Sequence, residues 1–438
     1  MKKELKKKEK ENKEYNRYGG YRKFFRFIIL AIVFITIILA ILVIKYMTIQ
    51  NQEFVLYVYS ICVITFVMLR ITASFFYDNN DKKWADNGYE PTVSFVIPVK
   101  NEEGVISDTI ARCFKVDYPK DKLEVVVIND GSTDNTIAEI EKMKKLYHRL
   151  TVIDFKENKG KRYAMTEGFK VAKGEVIIQL DSDSYIDEGS LKILVKPFQN
   201  KNIGAVSAHT DVSNSNENIL TKMQAAYYFI SFRAMKAYES MLSTVLCCSG
   251  CCSAYRKSTV LPLLEEWKDE MFLSRPVSFG DDRSLTNMIL KTGYKTIYLD
   301  NAQAYTIVPN NIRQFTKQQI RWKKSWIINA VKLSGFIFKR DKFVAMTYFY
   351  PLIIISLVTP IIAIDALVVH PLTYNTVPIF YVVGVFLIAC LLAIHYKFYK
   401  HDKNWKYIFV WIFLGMVYTS YLMFYAIFDI RNMKWGTR

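Results

Sequence analysis

The sequence predicts a Rossmann-like α/β domain on the cytoplasmic side, inserted between α-helical transmembrane segments. Three observations predict it. Apolar residues make up 51% of the chain and crowd toward its two ends. Between those ends, short continuous apolar runs alternate with helical patterns, as in a parallel sheet covered by helices on both faces. Three of the runs end in polar clusters, and ligands of such sheets sit beyond the carboxyl ends of the strands.

The elements follow in order. Residues 1–26 are polar, rich in Lys and Glu and without a cleavage pattern, and read as a cytoplasmic basic tail. Residues 27–70 hold two apolar runs, Phe27–Ile44 and Phe54–Leu69. With a flanking residue or two, each spans the ~30 Å of hydrocarbon. Basic residues precede the first run and follow the second, so the hairpin starts and ends in the cytoplasm. Residues 91–310 form the soluble domain. Its strands are read at Thr92–Val99, Glu124–Ile128 and Glu175–Leu180, with helices at Gly104–Phe114 and Asp134–Tyr147. Ile219–Tyr238 and Ile312–Leu333 mix aromatic and basic residues and fit amphipathic helices on the membrane surface, or else core helices. The second falls in a separate segment, 311–342. Residues 343–438 carry three apolar stretches, Phe343–Val369, Val377–Ile394 and Ile408–Phe428.

The net charge is +18, from 59 Lys and Arg against 41 Asp and Glu. In a chain with membrane segments this reads as positive-inside topology and attraction to the anionic lipid bilayer. A nucleic-acid partner is not expected, because no helix-turn-helix, zinc finger or aromatic RNA-binding motif is present. Of seven cysteines, four cluster at Cys247, Cys248, Cys251 and Cys252. No His pair follows at zinc spacing, so they read as reduced thiols packed beside a site.

The polar clusters carry the chemistry. Asp181-Ser182-Asp183 ends a strand, and its two carboxylates can share a divalent cation, Mg²⁺ or Mn²⁺, and a ribose hydroxyl. Asp130-Gly131-Ser132 ends another. There Asp130 can accept a uracil N–H and Gly131 lets backbone approach the nucleotide, although an ordinary turn with a Ser cap fits too. Pro98, Asn101 and Glu102 face the same crevice. Asn158 to Arg162 adds a flexible turn whose cations, Lys161 among them, suit phosphates, or simply solvent. Gly280-Asp281-Asp282-Arg283 supplies a carboxylate for proton abstraction from an attacking hydroxyl. Asp282 is the expected base, with Asp281 and Arg283 beside it. On the later amphipathic helix, Arg321 can reach a pyrophosphate, Trp322 offers a flat face to a sugar, and Gln318 lies one turn earlier. A snorkelling Arg beside an interfacial Trp would look the same.

The order of these motifs, followed by apolar spans, resembles the processive family-2 membrane glycosyltransferases: cellulose, chitin and hyaluronan synthases. The resemblance runs from about Ile71 to the end. Ser249-Gly250, the run Val277–Asn287 and Trp435-Gly436-Thr437-Arg438 are most similar to hyaluronan synthases. The Cys-rich run Leu246–Lys257 resembles bacterial chitin-oligosaccharide synthases, although those carry Glu at the position of Asp281. Asn129 and Cys251 also depart, standing where the family has Asp and hyaluronan synthases have Pro.

The resemblance implies a glycosyltransferase-A-type domain. Asp130 and Lys161 would hold UDP, with Pro98, Asn101, Glu102 and Asp181 around the nucleotide. Asp183 would ligate the metal, and Asp282 would be the base. Ser249, Gly250, Asp281, Arg283, Gln318 and Trp322 would meet the acceptor, and Arg321 the diphosphate. Trp435 and Arg438 would gate the nucleotide. That gate needs a cytoplasmic C-terminus, hence four crossings and a re-entrant or interfacial last segment. The partners implied are UDP-sugars and a growing polysaccharide, at the plasma membrane. The product would be hyaluronan from two donors, or a chitin-like polymer from UDP-N-acetylglucosamine alone. A nucleotide-sensing transporter leaves Asp282 and the Gln-x-x-Arg-Trp run without a task. A single transfer to a lipid phosphate does not need that interfacial helix.

Overall fold

The computed structural model describes residues 54–77, 84, 87–376, 378–400 and 402–433. The run Phe27–Ile44 and the Trp435–Arg438 segment lie outside these residues.

Helix α1 (Phe54–Phe76) leads into the central domain. There β1 (Val93–Val99), β2 (Leu123–Asp130), β3 (Leu150–Phe155) and β4 (Val176–Gln179) are parallel, in the order β3-β2-β1-β4. Every residue of β1 is buried, so its apolar run covers both faces. Helices α2 (Ile106–Lys115), α3 (Thr136–Leu146) and α4 (Lys161–Val171) connect these strands. The sheet continues through β5 (Ser184–Ile186), β6 (Ile203–Val212), β7 (Ser253–Arg256) and β8 (Lys295–Thr306).

The full order is β3-β2-β1-β4-β7-β6-β8-β5. The sheet is mixed where the sequence predicts a parallel one. Strand β7 runs antiparallel to both β4 and β6, and β5 antiparallel to β8. The cause is visible in the chain. The Cys-rich loop brings β7 back beside β4 from the carboxyl end, so that Asp181 N–H donates to the Gly250 carbonyl at 3.1 Å.

Helix α5 (Ile219–Phe229) continues through Ile230–Lys236 into Ala237–Met241. It is buried between two layers. Tyr228 and Phe232 pack on the sheet side, while Ala226, Phe229 and Ile230 pack with α1 residues Met68, Ile71 and Phe75. The core-helix reading therefore describes this segment better than the surface one. Helix α6 (Asp281–Lys291) and the long α7 (Ile312–Ser334) follow.

Four described helices are long and apolar enough to cross a membrane: within α1, α8 (Lys342–Tyr374), within α9 (Ile379–Tyr399) and α10 (Lys406–Phe428). Both ends of α10 are tied to the domain. Before it, Lys400 Nζ lies 2.6 Å from Asp211 Oδ1 on β6. After it, Asp429 pairs with Lys324 on α7. Between them the Thr316 and Tyr418 hydroxyls share a hydrogen bond of 2.5 Å, and Phe315 packs edge-on against Trp411. Helix α10 thus lies along α7 and runs in the same direction.

Candidate active site

The carboxyl ends of β1, β2 and β4 open into one cavity of about 1870 Å³. That exceeds the ~300–1,000 Å³ of a usual small-ligand pocket and leaves room for more than one sugar. Pro98, Asn101, Glu102, Asp130, Lys161, Asp181, Asp183, Ser249, Gly250, Asp281, Asp282, Arg283, Gln318, Arg321 and Trp322 all line it. Every site residue read from the sequence and described here is therefore in one place.

The side of the cavity at the ends of β1 and β2 is built on turns. Asp130 accepts main-chain N–H bonds from Lys159 at 2.7 Å and Gly160 at 3.0 Å. It shapes the cationic turn and keeps lone pairs for one further donor. Gly131, with φ +64°, admits backbone rather than ligand: a Cβ there would lie 2.6 Å from Asn158 N. Asn129, where the resembled family has Asp, bonds Asp154 Oδ1 and accepts from Ser132. Asn101 accepts from Thr133 N–H at 2.8 Å and holds the end of β1 against that turn.

Lys161 opens α4, and its Nζ lies 2.5 Å from Asp181 Oδ1. Burial alone would lower its pKa, but Asp181, Asp281 and Asp282 raise it above the ordinary lysine value. It is a cation held ready among three carboxylates.

Asp281 lines the cavity and is also engaged beneath it. It is 4% exposed, and its Oδ1 takes a 2.9 Å bond from Arg162 Nε. Arg162 also reaches Glu270 Oε2 at 2.7 Å, and Glu270 pairs with Lys332 on α7 at 2.5 Å. Burial raises the Asp281 pKa against the opposing pull of Arg162 and Lys161. A carboxylate so deep needs such a cation, so Asp281 is engaged in fixing α4 to α6. Asp282 instead turns toward the Cys-rich loop. Its Oδ2 is 3.4 Å from Cys247 Sγ and 3.3 Å from Gly250 N.

Trp322 packs beside Tyr227 and Tyr228 of α5, making an aromatic wall of the cavity. Several buried polar atoms there have no partner among the described residues: Ser249 Oγ, Gln318 Oε1 and both side-chain atoms of Gln179. Buried polar groups are rarely left unpaired, so these mark where a ligand's hydroxyls would bond. Gln179 was missed from the sequence, although a Gln inside the apolar run before Asp181 is a usable signal. Arg162, Tyr227 and Tyr228 were also missed, because their role rests on contacts distant in the chain. The four clustered thiols are free, and no cluster of three metal-binding side chains occurs among the described residues.

Comparison with known proteins decides the family of the central domain. Residues 94–261 match the model for glycosyl transferase family 2. The protein is a glycosyltransferase with a family 2 domain. It is 29% identical over 398 residues to a hyaluronan synthase of Streptococcus pyogenes serotype M3, covering 87% of this chain and 90% of that one. It is 28% identical over 356 residues to an N-acetylglucosaminyltransferase of Azorhizobium caulinodans, covering 80% and 87%. Among solved structures, the mannosyltransferase PcManGT of Pyrobaculum calidifontis, in complex with GDP-Man and Mn²⁺, superposes with a TM-score of 0.53 at 19% identity. The match covers 85% of this chain and 98% of that one. The glycosyltransferase has a glycosyltransferase-A-type fold. Its candidate spans make it a membrane protein.

Proposed function

We propose that the protein is a processive, inverting glycosyltransferase that polymerises UDP-sugars at the cytoplasmic face and passes the product through the membrane. The favoured product is hyaluronan, from UDP-N-acetylglucosamine and UDP-glucuronate. One observation carries the reading. The cavity that holds Asp130, Lys161, Asp181 and Asp282 runs on past Gln318 and Trp322 to Ser356 of α8 and Met423 of α10. A donor site, an acceptor platform and membrane helices are continuous.

In the proposed reaction the acceptor hydroxyl attacks the anomeric carbon of the donor. Its proton goes to Asp282 as the new C–O bond forms, and the bond to UDP breaks on the opposite face. Lys161 exchanges Asp181 for the diphosphate, with Arg321 as a second cation. The donor set suits a divalent metal, since Mg²⁺ or Mn²⁺ takes one or two carboxylates together with substrate phosphates rather than a full protein cage. Asp183, with Asp181 beside it, would hold the ion. Bound there, it would neutralise the charge developing on the departing diphosphate.

The C-terminus is proposed to lie on the domain side. Met433 supports this: it is buried against Val277, Phe279 and Ile328, and its carbonyl accepts from Ser278 Oγ beside Gly280. The tetrapeptide Trp435–Arg438 follows one residue later. This arrangement favours two N-terminal crossings, α8 and α9 as spans, and α10 as an interfacial helix.

The test is to give purified protein each UDP-sugar alone and in pairs and to measure polymer. Hyaluronan synthesis requires both donors. Long polymer from UDP-N-acetylglucosamine alone would replace this reading with the chitin-like one, which the rhizobial relatives favour.

A further inference from the structure

We propose that Lys236 is the residue that receives the carboxylate of a hexuronic acid in the donor-sugar pocket, and so selects an acidic sugar. The proposal rests on the two-donor reading above and adds to it the group that would read the acid.

Lys236 ends the Ile230–Lys236 stretch that prolongs α5, and it is 7% exposed. Its Nζ is 3.2 Å from Ser207 Oγ on β6 and 4.0 Å from the centroid of the Phe232 ring. No carboxylate pairs with it among the described residues. Three shielded cations nearby do have one: Arg162 has Asp281 and Glu270, Arg233 has Asp300, and Lys324 has Asp429. A buried ammonium with only a hydroxyl and a ring for company is unfavourable unless something brings it a counter-charge.

Its position says what that partner is. Lys236 lines the cavity together with Cys247, Ser249 and Cys251. Its charge acts on the Cys247 and Cys251 thiols. Cys247 in turn touches Asp282, and Cys251 lies within the field of Asp181 and Asp183. A sugar placed for transfer sits among those three carboxylates. A neutral sugar can do so freely, but a hexuronate brings a fourth negative charge and is repelled unless a cation meets it. Lys161 and Arg321 are assigned to the diphosphate, and Arg162 is engaged with Asp281 and Glu270. Arg283 and several lysines line the cavity as well; Lys236 is singled out by its burial on the loop side with a hydroxyl and a ring as its partners. The unpartnered Ser249 Oγ beside it can bond a ring hydroxyl of the same sugar.

The experiment uses the full-length protein in lipid nanodiscs and compares wild type, Lys236→Gln and Lys236→Arg. A charge-assisted hydrogen bond in a shielded site corresponds to on the order of 10- to 100-fold in affinity. Lys236→Gln should raise KM for UDP-glucuronate by that factor, while UDP affinity and KM for UDP-N-acetylglucosamine stay within about threefold. Lys236→Arg should restore most of the difference. An equal rise for both donors, or no rise for either, overturns the proposal and makes Lys236 a packing residue. Should Lys236→Gln fail to fold, the wild type still decides. It should bind UDP-glucuronate at least tenfold more tightly than UDP-glucose, which carries a neutral hydroxymethyl group in place of the carboxylate, and equal binding overturns the proposal. Failure of the two-donor reading looks different: wild type would make polymer from UDP-N-acetylglucosamine alone, and both ideas would fall together.

Discussion

At the scale of single residues, the proposed site separates into groups that would meet substrate and groups that hold those groups in place. Asp282 is the proposed base, and the donor's diphosphate is proposed to be held elsewhere. General-base catalysis is worth roughly 10²- to 10⁴-fold. Asp282→Asn should therefore nearly stop polymer formation and leave UDP affinity within a few-fold of wild type by calorimetry. Retained activity would move the role to another carboxylate. Arg162 works at one remove. Removing it leaves Asp281 and Glu270 buried with a weaker counter-charge, a loss on the order of 3–5 kcal/mol for a broken buried pair. Arg162→Gln should lower the melting temperature by several degrees and depress turnover. Lys161→Ala should act on UDP affinity instead, and if the two variants behave alike the separation is wrong. Asp183→Asn should abolish turnover and weaken metal-dependent UDP binding, since an amide is a poor ligand for a hard cation. Full activity in EDTA would remove the metal from the scheme. Asp181, Asp183 and Asp282 were legible in the sequence because each follows a recognisable strand end or turn. The Arg162–Asp281 pair was not, because the two residues are 119 positions apart and nothing local announces it.

At the scale of elements, the proposed topology turns on helix α10. Its length and composition suffice for a span, and hydropathy alone cannot separate that from a helix lying along the domain. Lys400–Asp211 before it and Lys324–Asp429 after it favour the second arrangement. A cysteine added after Arg438, in a version lacking the native cysteines, should resist an impermeant thiol reagent in intact cells. Ready labelling from outside would make α10 a full crossing and separate the terminal tetrapeptide from the site. The joint between β6 and the membrane helices carries a second expectation. His209 on β6 lies 2.8 Å from the Tyr298 hydroxyl and beside Asp211. Burial, with Arg233 nearby, pushes its pKa down to about 4. An unfolded chain binds that proton near pH 6.5, so the stabilising effect of neutral His209 is complete above pH 6.5 and is lost as pH falls toward 4. Thermal unfolding in detergent between pH 7 and 4.5 should show this slope, and His209→Gln should flatten it. The strands β1, β2 and β4 and helices α2 and α3 agree with the pattern-based reading to within a residue or two. The antiparallel β7 does not, because its place in the sheet follows from a loop returning over the strand ends rather than from its own sequence.

At the scale of the whole molecule, one cavity runs from the strand ends of the domain to the apolar helices, and α7 lines it along the way. The sequence showed the parts in order: soluble domain, Gln-x-x-Arg-Trp helix, apolar spans. It could not show that Ser356 and Met423 border the same space as Asp130, because that depends on how helices pack across the domain face. Gly280 gives this arrangement a mechanical side. It has φ +75°, and a Cβ there would lie 2.1 Å from Ser325 Oγ, so the turn bearing Asp282 rests directly on the helix that carries Gln318 and Trp322. In the proposed scheme the chemical step and the grip on the chain end therefore share one hinge-free seat. Adding a methyl group at that seat should tilt the grip relative to the base without touching the nucleotide. Gly280→Ala should thus give a shorter product at nearly unchanged donor affinity, because the balance shifts from extending the chain toward letting it go.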